Sequence, residues 1–113
     1  MKEMIPVHWL SKEARRRIID IMLSTRSIHQ LAEEIGISPT AIRKYINRTT
    51  HPSDDTMYRI FGILAPYEEE QIMRIVIDDL VDALNHLAKS INDDRQKKYL
   101  INKLKEVLAR IER

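Results

Sequence analysis

Ser27-Ile28-His29-Gln30-Leu31-Ala32-Glu33-Glu34-Ile35-Gly36-Ile37-Ser38-Pro39-Thr40-Ala41-Ile42-Arg43-Lys44-Tyr45-Ile46-Asn47 is a stretch that carries its own start and stop signals. Ser27 with Gln30 three residues on forms a capping box for one short helix. Leu31, Ala32 and Ile35 give that helix one apolar stripe. Gly36 supplies the left-handed backbone on which a helix ends without a Cβ clash. Ser38 caps a second helix, and Pro39 stands at its first position, where a missing N–H costs nothing. Along this second helix Ile42, Tyr45 and Ile46 are expected to point inward, and Thr40, Arg43, Lys44 and Asn47 outward.

Two helices that cross steeply within a turn of a few residues need a small side chain where they touch, and Ala32 fits that contact. Ile35, Ile37 and Ile42 close the core beneath it. The pattern is that of a helix-turn-helix, whose second helix projects and enters a major groove. The sequence resembles the Cro/lambda-repressor family of such domains. Ala32, Gly36 and Ile42 stand at that family's small, turn and buried positions, with Leu31, Ile35 and Ile37 at its apolar ones. The resemblance runs on through the loop Asn47-Arg48-Thr49-Thr50-His51-Pro52-Ser53 and the helical stretch Thr56–Leu64. With a preceding helix over about Ser11–Leu23, it covers roughly residues 11–65. Pro39 departs from the family, which often places a base-reading polar side chain there. Nothing after Pro66 belongs to the shared pattern. An ordinary helical hairpin with a glycine turn is the alternative; caps, turn, downstream loop and outward basic face together argue against it.

The rest of the chain is bounded by composition. In 113 residues there are two glycines and no cysteine, so disulfides, thiolate metal sites and a cysteine nucleophile are excluded. Apolar residues make up 43%, enough for a core, but no run approaches the length of a membrane span. No signal-like start precedes the domain, so a cytoplasmic, nucleoid-associated protein is expected. Residues 1–65 hold ten Lys and Arg against seven Asp and Glu, and residues 66–113 hold nine against ten. The basic excess lies in the segment with the helix-turn-helix, as an electrostatic footprint on DNA requires.

The expected organisation is an all-α chain: an N-terminal arm over 1–10, a helix-turn-helix DNA-binding domain of about four helices over 11–65, and a long two-helix hairpin over 66–113. In the arm Pro6 opposes a helix, Trp9 is expected to pack on the domain, and Lys2 is the single cation that a groove-inserted arm would use. Arg15, Arg16 and Arg17 read either as a solvated face or as phosphate contacts. Asp54 and Asp55 complement the dipole of the helix that Ser53 caps. His8, His29, His51 and His86 have no ligand spacing, although His29 lies where members of the family touch phosphate.

Pro66 opens the C-terminal segment, with Glu68, Glu69 and Glu70 favourable in its first turns. Met73, Ile77, Leu80, Leu84, Leu87 and Ile91 follow at alternating spacings of four and three, a heptad seam. Asp93 with Gln96 offers a capping box for a last helix that carries Leu104, Leu108 and Ile111 on one side. These nine residues are the expected dimerisation surface, on the reading that the N-terminal domain is complete without them. The alternative use of the seam is to cover that domain.

The resemblance implies double-stranded DNA as the partner, and a dimeric transcriptional regulator as the function. Ser27, Ser38, Thr40, Arg43, Lys44, Asn47, Arg48 and Thr49 are the residues it places against DNA. Arg43 has the fork geometry to read guanine, and Asn47 to read adenine or hold a phosphate. A protein-interaction or antitoxin-like module, and the DNA-targeting part of a recombination or segregation system, are the rival readings. No phosphate-binding glycine loop, metal motif or nucleophile elbow is present, so neither an enzyme nor a cofactor is expected.

Overall fold

Every one of the short N-terminal helices begins on a serine whose hydroxyl oxygen accepts a backbone N–H three residues on. Ser11 accepts from Ala14 at 3.0 Å, Ser27 from Gln30 at 3.1 Å, Ser38 from Ala41 at 3.1 Å and Ser53 from Thr56 at 3.2 Å. These caps define α1 (Lys12–Leu23), α2 (Ile28–Ile35), α3 (Pro39–Ile46) and α4 (Asp54–Phe61) in a computed structural model that describes residues 5–113. Two longer helices follow, α5 (Pro66–Ser90) and α6 (Asp94–Ile111), and among the described residues there is no strand. The fold is all-α, a helix-turn-helix domain followed by a long helix and a further one. The described residues divide into two compact units, one ending at Leu80 and the other running from Val81 to Arg113.

In the first unit the capping box of α2 is complete, since the Gln30 side chain also accepts the Ser27 N–H at 2.8 Å. Gly36 ends the helix at φ 70°, the left-handed conformation that its lack of a Cβ permits. Ile18, Ile19, Met22, Leu31, Ile42, Met57 and Ile60 are fully buried and form the centre of the core. Each such side chain contributes roughly 1.5–3 kcal/mol by leaving water.

Several features differ from the sequence expectation, three of them in the packing of apolar residues. Trp9 stays 72% exposed, edge-on to His8; the arm is anchored instead by Ile5, Val7 and Leu10, buried before, in and after a single 3-10 turn at Val7–Trp9. Pro6 precedes that turn, and its fixed φ is compatible with it. Lys2 lies outside the described residues. Ile46 is 40% exposed: it is the last residue of α3, about 100° round the helix from the buried Tyr45, and so lies at the edge of the face that Ile42 and Tyr45 bury.

The third difference is at α5. Ile72, Ile75 and Val76 are buried in the same core as α1–α4, with Met73 and Leu80 half-buried against it. The first unit is therefore not complete at residue 65. Glu68, expected only to favour the helix dipole, is fully buried. Its carboxylate accepts the Ala65 N–H at 2.9 Å, Arg26 Nη2–H at 3.0 Å and the Thr25 hydroxyl at 3.3 Å, and is also in contact with Arg26 Nη1. Ser11 adds a second tie, donating its backbone N–H to Asp79 at 2.9 Å.

In the second unit, α6 is capped by Asp93, which accepts the Arg95 N–H at 2.9 Å rather than forming a box with Gln96. Leu84, Ile91, Leu100 and Leu104 are half-buried, and α6 has no fully buried residue.

Candidate nucleic-acid interface

α3 is an eight-residue helix held from one side. Ile42 and Tyr45 are buried, Pro39 and Ala41 half-buried, and Ser38, Thr40, Arg43, Lys44 and Asn47 exposed. The outward positions expected from the sequence are thus brought together on one face, and Ile46 joins them at its edge. The tip of α3 has few donors of its own: Pro39 has no N–H, and Ala41 N–H is taken by Ser38. The Ser38 cap uses the hydroxyl oxygen as acceptor, which leaves its O–H proton to donate. Ser27 is placed the same way at the start of α2.

Electrostatics divides the basic positions into paired and unpaired ones. Arg16 holds Glu13 at 2.7 Å, Arg26 holds Glu34 at 3.1 Å, and Arg59 holds Asp55 at 3.0 Å. By contrast Arg43, Lys44 and Arg48 have no carboxylate partner among the described residues, and neither do Lys12 and Arg17. The field of α3 and the loop after it is positive and unneutralised.

Arg48 and Thr49 follow α3 in a tight turn. Arg48 has φ 61°, the left-handed region that glycine normally fills. The turn closes with Arg48 N–H donating to Tyr45 O at 3.1 Å and Thr49 N–H to Lys44 O at 2.9 Å, the double bond of a Schellman C-cap. Since Thr49's N–H is spent there, only its exposed hydroxyl remains to meet a phosphate. A cleft of about 280 Å³ lies between this loop and the start of α1, lined among others by Lys12, Arg16, Arg48, Thr49, Thr50 and His51. Lys12 carried no signal in the sequence, and Thr50 and His51 entered there only as members of the loop; folding brings the start of α1 beside them.

The Arg15–Arg17 run does not act as a unit. Arg15 is buried, and its guanidinium donates to the carbonyls of Leu10 at 3.2 Å, Pro52 at 2.9 Å and Val7 at 2.9 Å, and to Asp54 at 2.8 Å. It is neither a solvated cation nor a phosphate ligand. Arg16 is held by Glu13, whose carboxyl is kept below its usual range by that hydrogen bond, and only Arg17 is exposed without a partner. Asp54 does more than complement a dipole, since His8 and Arg15 both bind it and hold its carboxyl low. His29 is exposed on α2 and His51 borders the cleft.

Of the residues read as a dimerisation surface, Met73 and Leu80 rest half-buried against the core of the first unit. Ile77, Leu87, Leu108 and Ile111 are exposed, and Leu84, Ile91 and Leu104 are half-buried.

Residues 23–65 match a family model described as helix-turn-helix. The match spans the end of α1, all of α2, α3 and α4, and stops one residue before α5. It bears out the Cro/lambda-repressor-type resemblance for this segment and supports a DNA-binding, transcription-regulatory role. No curated protein and no solved structure matches the chain.

Proposed function

We propose that this protein is a sequence-specific DNA-binding protein that acts as a dimeric transcriptional regulator in the cytoplasm, associated with the nucleoid. The observation that carries the reading is the exposed face of α3, where Arg43 and Lys44, like Arg48 in the loop that follows, have no carboxylate partner among the described residues, while Arg16, Arg26 and Arg59 are paired. In this reading α3 lies in the major groove. Arg43 donates bidentately to guanine, Asn47 reads adenine or holds a phosphate, and Thr40 meets a thymine methyl or a backbone oxygen. Lys44, Arg48, Thr49, Ser27 and Ser38 bind phosphate oxygens and set the register. A dimer presents two such helices about 34 Å apart to successive major grooves of a two-fold-related site. The protein acts by binding, with no chemical step and no cofactor.

The test is a fluorescence-anisotropy titration of the full chain on selected and random-sequence duplexes at several salt concentrations. The reading expects a selected, two-fold-symmetric site bound roughly 10³-fold or more tightly than random DNA. Steep salt dependence without sequence preference would overturn specificity. No binding at moderate salt would overturn the DNA reading and leave a protein-interaction module.

A further inference from the structure

The C-terminal helices carry apolar surface and charge that the chain by itself does not use. α6 has a stripe formed by Leu100, Leu104, Val107, Leu108 and Ile111, of which Ile111 is 73% and Leu108 53% exposed. α5 has a second apolar seam, rotated from the face that it buries, on which Ile77, Val81 and Leu87 are each about half exposed. Stripes of this kind are rare on monomers unless something covers them.

The charges beside the two stripes are opposite. α5 carries six carboxylates, of which Glu68 is buried on Arg26 and Asp79 is bound by Ser11, against Arg74 and Lys89, and α6 carries six Lys and Arg against Asp94 and Glu106. Among the described residues the single ion pair of α6 is Lys103 with Glu106, internal to the helix, and Asp82 holds only the exposed His86. An acidic helix and a basic helix with matching seams are complementary to each other. In a two-fold dimer that complementarity is satisfied twice, α6 on α5 and α5 on α6.

We propose that a second copy of this chain covers both seams, the α6 of each copy lying antiparallel along the α5 of the other. This rests on the dimeric reading above and specifies its pairing. Helical spacing puts Asp78 and Asp82 on one edge of the α5 seam, and Lys98 and Lys105 on the edge of α6 that faces it in antiparallel packing. Parallel packing would instead bring the edge with Lys103, Glu106 and Arg110 against those aspartates, where Lys103 is already held by Glu106 and Arg110 alone is left to pair. The result is a four-helix bundle of two α5 and two α6 helices. α6 has 18 residues and is about 27 Å long. Two reciprocal contacts of that length reach the roughly 1,200–2,000 Å² of a stable dimer.

The test is sedimentation equilibrium of the full chain without DNA, on wild type and on two charge-reversed variants, Lys98→Glu/Lys105→Glu and Asp78→Lys/Asp82→Lys. All four positions are exposed, and circular dichroism would check that each variant keeps its helices. Each variant alone is expected to self-associate about ten-fold or more weakly than wild type, because like charges then face each other. An equimolar mixture of the two is expected to form a one-to-one dimer, since both reciprocal contacts regain opposite charges. A monomeric wild type, a variant that dimerises as well as wild type, or a mixture that remains monomeric would each overturn the proposal. Sedimentation of a monomeric wild type with phosphatidylserine vesicles would assign the basic stripe to a lipid surface instead. Anisotropy on DNA separates the two readings: a monomeric variant that still binds duplex with steep salt dependence leaves the DNA reading standing, and a dimer that binds no DNA overturns that reading alone.

Discussion

Arg26, in the turn between α1 and α2, and Glu68, in the first turn of α5, form a buried ion pair that joins α5 to the first unit. Arg26 Nη2–H donates to Glu68 Oε1 at 3.0 Å, Nη1 meets Oε2, and the other side of the guanidinium holds Glu34 at 3.1 Å. Removing Arg26 strands a carboxylate with no exposed surface, so Arg26→Ala is expected to lower stability by about 3–5 kcal/mol. Glu68→Gln keeps an oxygen for the Ala65 N–H and leaves Arg26 with Glu34, so a smaller loss of about 1–3 kcal/mol is expected. Urea unfolding curves check the order; equal losses would contradict it.

The same pair sets the response to acid. The hydrogen bond from Arg26 holds the Glu68 carboxyl below its ordinary value, against desolvation, and Asp54 is likewise held low by His8 and Arg15. Depressed carboxylates stabilise the fold above their unfolded pKa of about 4, and that stability is lost as pH falls through the lower folded value. In Arg26→Ala the desolvation of Glu68 is no longer opposed by its main partner, and its pKa is expected to rise instead. Protonation then relieves the stranded charge, so the stability gap between wild type and variant should narrow as pH drops from 7 towards 5.

Gly36 is fixed by its backbone and by a neighbour. At φ 70° any other residue is strained, and a Cβ there would stand 3.3 Å from Arg59 Nη1. Arg59 donates from that nitrogen to the carbonyl oxygens of Ile35 at 3.2 Å and Gly36 at 3.4 Å, closing the end of α2. Gly36→Ala is expected to cost about 1–2 kcal/mol, since an alanine in this conformation clashes with its own carbonyl. Thermal unfolding measures it.

Arg43 and Lys44 are adjacent and both exposed, yet different losses are expected. Arg43→Ala should cost about 1–3 kcal/mol on the selected site and relax preference at one base pair. Lys44→Ala should weaken all duplexes alike and reduce the salt slope by about one. Anisotropy titrations at several salt concentrations separate them, and uniform weakening by both would remove Arg43 from base reading.

Arg48 holds a conformation that favours glycine, and its guanidinium has no carboxylate partner among the described residues. Arg48→Gly is expected to raise stability by up to about 1 kcal/mol, by relieving the left-handed strain against glycine's larger entropy loss. The same variant should bind DNA more weakly with a shallower salt dependence. A gain in stability with no loss of binding would make Arg48 a neutral turn residue.

The sequence by itself determined the local structure of the first unit: four serine caps, the Gly36 stop, the Pro39 start and the buried periodicity of Leu31, Ala32, Ile35 and Ile42. These are interactions over three or four residues, so helical spacing makes them legible without knowledge of any long-range contact. The outward face of α3 was legible for the same reason, since turning Ile42 and Tyr45 inward leaves Thr40, Arg43, Lys44 and Asn47 outside. The limit of periodicity shows at Ile46, where one residue of rotation decides exposure. Tertiary structure alone decided the fate of the charged residues. Arg15 is buried because three carbonyls and Asp54, up to 39 positions away in sequence, converge on it. Glu68 is buried because Arg26 lies 42 positions away in sequence and close by in space. A charge run looks the same in sequence whether solvated, paired or buried, and only the partners that folding supplies tell these apart.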